Sequence, residues 1–400
     1  MTVTVTSQHT TIRPFEFEFS DAELEDLRRR IKATRWPDKE TVSDQSQGPQ
    51  LATMQAVARY WSSEYDWRKI EARLKALPHF VTEIDGLDIH FVHVRSKHED
   101  ALPLIITHGW PGSVMEQLKI IEPLTDPTSY GGNASDAFHV VIATMPGYGF
   151  GGKPTEKGWG PERIAPAWVE LMRRLGYTKY VAQGGDWGTL VTELMGALAP
   201  PELAGIHVNL PGVVPPDIHQ AVAQGNPLPE GTSLSDEEAS AVEQLRFVFS
   251  HVYYAFLQAT RPQALMAIAD SPVGLAAFLM DHDAASLAMI SRSFAGEAEG
   301  LTRDDFLDNT TYFWLTNSGL SAGRLYAENT VGFFTPKGVK VPTAVTVFPN
   351  EIYIAPRSWA EKAYPNLIHY NKVSKGGHFA AWEQPEIFVD EVRTCFRSLR

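Results

Sequence analysis

The stretch Lys179-Tyr-Val-Ala182-Gln-Gly184-Gly185-Asp186-Trp187-Gly188 decides the fold of this chain. A short apolar run, residues 179–182, leads into a glycine-rich turn, and residues 189–199 follow with helical length and composition. The pattern predicts a buried strand, a tight turn and a helix, with Asp186 at the carboxyl end of the strand. Asp186 is then either the N-terminal cap of the helix or a reactive group held at the turn.

Similar apolar runs occur on both sides of this stretch. They cover residues 102–107, 139–144, 205–208, 343–348 and 367–373, and segments of helical length separate most of them. Runs of this kind are typical of strands buried on both faces, joined by right-handed helical crossovers. Residues 81–94 alternate around Asp85-Gly86, which predicts a β-hairpin. The fold class is therefore α/β with a mostly parallel central sheet.

The remaining segments predict helices outside this sheet. Ser20 and Glu23 have the spacing of a capping box, and the helix that they start is predicted to end at Trp36-Pro37. We expect four parts: an N-terminal helical extension over 1–80, a first core part over 81–215, a helical lid over 216–325 and a second core part over 326–400. Ser235 opens a long helix of the lid.

Composition excludes several classes of partner. The 400 residues carry a formal net charge of −13, which argues against nucleic acid and against an anionic membrane surface. No run reaches the roughly 18 apolar residues that span a bilayer, so no membrane span is expected. Residues 1–10 do not read as a signal peptide, and Cys395 is the single cysteine. We expect a cytoplasmic location.

Three further candidate segments follow predicted strands. His108-Gly109-Trp110-Pro111-Gly112-Ser113 comes directly after the run 102–107, Glu351 after 343–348, and Gly376-Gly377-His378 after 367–373. Parallel strands present their carboxyl ends at one edge, where open α/β sheets hold their sites. We expect an acid to orient His378, and we favour Glu351 for this role over Asp390.

The sequence favours neither a nucleotide nor a metal. Residues 147–152 fit G-x-G-x-x-G, but Lys153-Pro154 predicts a loop where a dinucleotide site needs a helix. No HExxH, paired CxxC or EF-hand spacing occurs. We expect no cofactor and no metal.

Taken together, the motifs resemble those of the microsomal-type epoxide hydrolases, a family with the α/β-hydrolase fold. The resemblance runs from about Pro14 to the C-terminus and implies a microbial form without a membrane anchor. Its motifs include Arg35-Trp36-Pro37, the His108–Ser113 loop, the turn around Asp186, Asp270-Ser-Pro-Val-Gly-Leu and the Gly-Gly-His378 loop. The loop after Phe150 departs from the family, since it has Gly151 where a serine is usual.

The resemblance implies a role for each candidate residue. Asp186 would be the nucleophile, because a carboxylate can displace a leaving group at saturated carbon. His378 would activate water, with Glu351 orienting it, and two lid tyrosines would hold the epoxide oxygen. The complete set of implied residues is Asp186, His378, Glu351, Tyr254 (with Tyr253 as its alternative) and Tyr326 for catalysis, the amides of Trp110 and Trp187 for the oxyanion, and Phe150 and Trp187 for the substrate pocket.

The expected partner is a small apolar epoxide, which would be converted to a vicinal diol, and a homodimer is a weaker expectation. Two alternatives stay open. A haloalkane dehalogenase also uses an aspartate nucleophile but binds halide with tryptophan or asparagine donors. A non-catalytic binding protein of this fold would commonly lack a member of the catalytic set.

Overall fold

A nine-stranded sheet forms the centre of the computed structural model, which describes residues 11–400. Its strand order is β1-β2-β3-β5-β4-β6-β7-β8-β9, antiparallel from β1 to β5 and parallel from β5 to β9. The strands are β1 Arg13–Pro14, β2 His79–Ile84, β3 Leu87–Val94, β4 Leu102–Thr107, β5 Phe138–Ala143, β6 Tyr180–Gly184, β7 Leu203–Val208, β8 Thr343–Val347 and β9 Leu367–Lys372.

Helices pack against this sheet. They are α1 Asp21–Lys32, α2 Leu51–Ser63, α3 Trp67–Lys75, α4 Val114–Gln117, α5 Ile121–Thr125, α6 Pro161–Arg174, α7 Trp187–Leu198, α8 Pro216–Ala223, α9 Asp236–His251, α10 Tyr253–Thr260, α11 Pro272–Met280, α12 Ala284–Phe294, α13 Arg303–Leu315, α14 Gly319–Glu328, α15 Arg357–Ala363, α16 Ala380–Glu383 and α17 Pro385–Phe396. Among residues 11–400, no helix combines the length and the apolar character needed to cross a lipid bilayer.

The predicted fold class is confirmed. The central strands read as continuous apolar runs because both of their faces are covered: every residue of β6 and β8 is buried, and so are five of six in β4. The hairpin forms as predicted, with Asp85 and Gly86 in left-handed conformations at its turn. The absence of a signal peptide was predicted from residues 1–10, which lie outside the described part of the chain.

The N-terminal region contains the predicted capping box. The Ser20 hydroxyl accepts from the Glu23 amide, and the Glu23 carboxylate accepts from the Ser20 amide. Helix α1 ends at Lys32, earlier than the Trp36-Pro37 that we predicted. Arg29, Arg30 and Lys32 in its last turn suit the negative end of the helix dipole.

Helices α8 to α14 lie between β7 and β8, where the sequence lost its strand signals. We propose this segment as the lid. The predicted boundary at residue 325 falls inside α14, which continues to Glu328, so that Tyr326 sits on a lid helix. Ser235 caps α9 with its hydroxyl, as predicted.

Candidate active site

The turn between β6 and α7 holds Asp186 in an unusual backbone conformation. Its φ is 50° and its ψ is −125°, a combination that residues other than glycine rarely adopt. A Cβ at Gly184 would lie 2.0 Å from the carbonyl oxygen of Gly188, and one at Gly188 would lie 2.0 Å from that of Thr107. The glycines are therefore needed for the turn to fit against β4. Asp186 occupies the cap position of α7 but makes no side-chain capping bond, so the capping alternative is not what the structure shows.

The loop after β4 faces the Asp186 carboxylate. The Trp110 amide donates to Asp186 Oδ1 at 2.7 Å, and the Trp110-Pro111 peptide bond is cis. Asn309 of α13 fixes this loop, since its Nδ2 donates to the Pro111 carbonyl at 2.8 Å and its Oδ1 accepts from the Ser113 hydroxyl at 2.7 Å. Trp110 N–H is thus already directed at the oxygen that would carry negative charge.

His378 lies on the other side of the same carboxylate. Its Nε2 is 3.6 Å from Asp186 Oδ2, and its Nδ1 is 2.6 Å from Glu351 Oε1. The side chains of His378 and Glu351 are each 1% exposed. Burial alone lowers the pKa of His378, but the Glu351 charge and hydrogen bond and the Asp186 charge raise it to about 10. Loss of either carboxylate charge would therefore weaken the hold of His378 on its proton.

Asp390, the competing acid, lies away from this site. It is on α17 with a side chain 75% exposed, 3.5 Å from Arg393. Glu351 is thus the carboxylate that contacts His378.

The two lid tyrosines lie close to each other and near Asp186. Tyr326 of α14 meets the Trp187 ring edge-on, with centroids 4.7 Å apart, and the Tyr254 and Tyr326 rings are 6.1 Å apart. Burial is the largest cause that raises the pKa of both phenols well above 10, and the Asp186 charge adds to it. Both are therefore neutral hydrogen-bond donors at neutral pH. Tyr253 is 68% exposed, so Tyr254 is the tyrosine that faces the site.

The two residues expected in the substrate pocket are not together. Trp187 lies beside Asp186, with its ring against Tyr326 and Phe333. Phe150 instead packs in an aromatic cluster of the N-terminal region, 4.5 Å from the Phe17 ring and 4.9 Å from the Tyr312 ring. Phenylalanines that precede α1 pack on the Phe150 ring, and Phe150 does not line the cavity at Asp186.

Sequence reasoning missed three residues near Asp186. Glu116 lines a cavity of about 10 Å³ with Asp186 and His378, close to the roughly 10–15 Å³ that one water needs. Burial is the main cause that raises the pKa of Glu116 to about 8. His282 and Asp283 lie between α11 and α12, and the His282 ring is 4.0 Å from that of His378. Glu116 follows the His108–Ser113 loop closely in the sequence, and this is the one signal that could have placed Glu116 near the site. No local sequence pattern indicates that His282 belongs there.

Asp186, His282 and His378 also form a grouping of metal-ligand type. Within residues 11–400, each offers one ligand atom, and the three atoms lie within 4.8 Å of one another. No sequence motif predicted this group. Both histidines have a carboxylate on Nδ1, the arrangement that orients imidazoles in many metal sites and in many general bases.

A mostly parallel sheet with a strained carboxylate after β6, an acid after β8 and a histidine after β9 defines an α/β-hydrolase. Comparison with known families agrees. The family model described as "alpha/beta hydrolase fold" matches residues 103–277, and the one described as "Epoxide hydrolase N terminus" matches residues 12–117.

Relatives and solved structures narrow the class. The chain is 48% identical over 391 residues to a Stigmatella aurantiaca protein provisionally named an epoxide hydrolase, covering 97% of this chain and 86% of that protein. It is 36% identical to epoxide hydrolase 1 of Oryctolagus cuniculus, over 96% of this chain and 88% of that one. The crystal structure of juvenile hormone epoxide hydrolase from Bombyx mori superposes with a TM-score of 0.84 at 29% identity, over 98% of this chain and 95% of that one. The chain belongs to the epoxide hydrolase family.

Proposed function

We propose that this chain converts an apolar epoxide and water to a vicinal diol through a covalent ester on Asp186. The observation that carries the proposal is the position of the Asp186 carboxylate, which the Trp110 amide binds at 2.7 Å while His378 lies 3.6 Å away and contacts Glu351 at 2.6 Å. The nucleophile thus lies beside a base, and the base contacts the group that orients it.

In the first step, Asp186 attacks one epoxide carbon and the ring C–O bond breaks. Tyr254 and Tyr326 donate hydrogen bonds to the leaving oxygen, and one of them gives it a proton. Their neutral state supports this role, because burial and the Asp186 charge hold both protons in place until a stronger base, the alkoxide, forms.

In the second step, His378 takes a proton from water, and the resulting hydroxide attacks the carbonyl carbon of the Asp186 ester. The amides of Trp110 and Trp187 stabilise the oxyanion, a contribution of roughly 3 kcal/mol per donor in comparable sites. The small cavity beside Asp186 and His378 is the proposed position of this water, and Glu116 lines it. Collapse of the tetrahedral species releases the diol.

The surroundings of Asp186 favour an apolar substrate. The ring centroids of Trp187 and Phe333 are 5.1 Å apart, and those of Trp110 and Phe278 are 6.0 Å apart. Aromatic rings therefore lie around the carboxylate. Apolar walls with a few convergent polar groups are typical of sites for small molecules. Styrene oxide is therefore a suitable probe.

A single turnover in water labelled with heavy oxygen tests the covalent step. With enzyme in excess over styrene oxide, the first diol should contain an unlabelled oxygen from Asp186, because labelled water enters the carboxylate first. Label in the diol of that first turnover would instead mean direct attack by water. A 1-chloroalkane serves as a parallel substrate, since halide release with no diol from styrene oxide would favour the dehalogenase alternative.

His378→Gln tests the second step separately. Alkylation should continue and hydrolysis should stop, so that mass spectrometry finds the chain heavier by one epoxide. An unmodified chain after incubation with styrene oxide would remove His378 from the proposed role.

A further inference from the structure

His282 is a second histidine of the site that the two-step mechanism does not use. Its side chain is 1% exposed, and its Nδ1 is 2.9 Å from Asp283 Oδ2. Within the described residues, its Nε2 is buried and has no hydrogen-bond partner. The ring lies 4.0 Å from the His378 ring and 5.3 Å from the Tyr254 ring. A buried nitrogen without a partner is costly, which points to a task in the reaction.

Asp283 determines which ring nitrogen of His282 carries a hydrogen. Burial raises the pKa of Asp283, but the hydrogen bond from His282 and the charge of that ring outweigh it, so the net shift is well below the usual range. The ionised carboxylate also caps α12, since it accepts from the Ser286 amide at 2.9 Å. An ionised carboxylate can only accept, so His282 Nδ1 carries the hydrogen that is donated to Asp283, and in the neutral ring Nε2 is the acceptor.

The proton inventory of the proposed reaction needs such a group. Ring opening leaves a proton on the epoxide oxygen and a tyrosinate, which we assign to Tyr254 because its ring lies 5.3 Å from that of His282. Ester hydrolysis yields Asp186 carboxylate, diol and one proton, which His378 receives from water. Each turnover thus consumes one proton at the tyrosine and leaves one on His378, so one proton must pass from His378 to the tyrosine in every turnover.

We propose that His282, supported by Asp283, carries this proton from His378 to Tyr254. The inference rests on the proposed covalent mechanism. His282 Nε2 accepts the proton of His378, directly or through one water, and forms an imidazolium that Asp283 stabilises; Nε2 then returns the proton to the Tyr254 oxygen. The N–H bond of His378 breaks and the O–H bond of Tyr254 forms, with no net change in charge over the three groups.

The timing follows from the charges around His378. In the free enzyme, Glu351 and Asp186 favour its protonated form. Esterification of Asp186 removes one of these charges, so His378 releases its proton when the tyrosinate has just formed. The relay therefore leaves His378 neutral, which is the state it needs to activate water. The other ionisable groups that face His378 are Asp283, Glu116, Glu383 and His282.

His282→Phe is the decisive variant, because a phenyl ring keeps the contact with His378 and removes both nitrogens. Stopped-flow tryptophan fluorescence with styrene oxide separates alkylation from hydrolysis. We expect alkylation within about threefold of the parent, since Tyr254 starts protonated, and hydrolysis slowed by at least about 100-fold, the low end of a proton-transfer contribution. Free imidazole in the buffer and a rise in pH should each restore hydrolysis, because both offer His378 another way to lose its proton.

Two further variants separate a relay from simple packing. Asp283→Asn keeps an oxygen to cap α12 but loses the charge that stabilises the imidazolium, and it should slow the same step by a smaller factor. His219→Phe is the matched control, a lid histidine whose ring packs on Phe249, and it should change neither step.

Hydrolysis within threefold of the parent in His282→Phe would overturn the relay. So would an equal loss in both half-reactions that imidazole does not rescue, because this indicates disturbed packing. If the parent enzyme itself forms no alkyl-enzyme, the covalent mechanism fails and the relay with it, an outcome that is recognised before any variant is compared.

Discussion

Replacing Glu351 with glutamine should affect the two half-reactions very differently. The 2.6 Å contact between Glu351 and His378 Nδ1 is a fully buried, charge-assisted hydrogen bond. Glutamine keeps the size of the side chain and can still accept from Nδ1–H, but it carries no charge. Alkylation by Asp186 does not use the base, so we expect its rate to change little, while the hydrolysis step slows.

The size of the effect follows from the energy of such a bond. Hydrogen bonds to charged groups contribute roughly 1.5–3 kcal/mol. At about 1.36 kcal/mol for each factor of ten, loss of this stabilisation slows hydrolysis by roughly 10- to 150-fold. The same energy acts on the proton of His378. Because the Glu351 charge raises the pKa of His378, removing it lowers that pKa by roughly one to two pH units.

The two effects can be told apart in a pH profile of the hydrolysis rate, which makes the test specific. The plateau rate of hydrolysis should fall, while its acidic limb should move to lower pH, since neutral His378 persists further into acid. Trp110 and Trp187 lie next to Asp186 and provide the fluorescence signal. The matched control is Glu383→Gln, a buried carboxyl that accepts from the Phe379 amide and makes no hydrogen bond to His378. An acidic limb that moves to higher pH, or a plateau within twofold of the parent, would refute the assigned role of Glu351.

The remaining predictions concern the lid, the nucleophile and the core. Tyr326→Phe and Tyr254→Phe should each slow alkylation by roughly 10²-fold or more, since a proton donor is lost, whereas exposed Tyr253→Phe should not; equal effects of Tyr253→Phe and Tyr254→Phe in single-turnover alkylation would contradict the assignment. Asp186→Asn should give no alkyl-enzyme by mass spectrometry while keeping the circular-dichroism spectrum of the parent, and a modified chain would exclude Asp186 as the nucleophile. Lys337→Met should cost about 3–5 kcal/mol of unfolding free energy in urea, because it leaves the fully buried Glu193, 3.6 Å from Lys337, without its cation. A loss below about 1 kcal/mol would mean that Glu193 is neutral in the folded chain.

The sequence predicted the sheet well because burial and composition coincide there. Strand β4 has the predicted bounds, since a strand covered on both faces is apolar throughout and Ala101 and His108 lie at the limits of the run. The end of α1 was less accurate, because fraying, capping and the approach to Trp36-Pro37 compete over several residues.

The active site was predictable where its residues follow strands. Asp186, Glu351 and His378 each come directly after a strand, so the parallel sheet brings them together. His282 could not be predicted in this way, because its position depends on how the lid docks over β6. Asp283 beside it reads locally as an ordinary helix cap, which it also is. Phe150 shows the converse case, since an aromatic residue in a promising loop is covered by residues distant in sequence.

The backbone at Asp186 has a consequence for how this chain can evolve. A conformation at φ 50° and ψ −125° costs a residue with a side chain on the order of 1–3 kcal/mol, whereas glycine adopts it freely. Replacement of Asp186 by glycine would relieve this strain, but it would also leave the buried Trp110 amide without its acceptor, which costs about 1–3 kcal/mol. The carboxylate that would react thus also contributes to holding the Trp110 loop in place, so activity and stability do not oppose each other strongly at position 186.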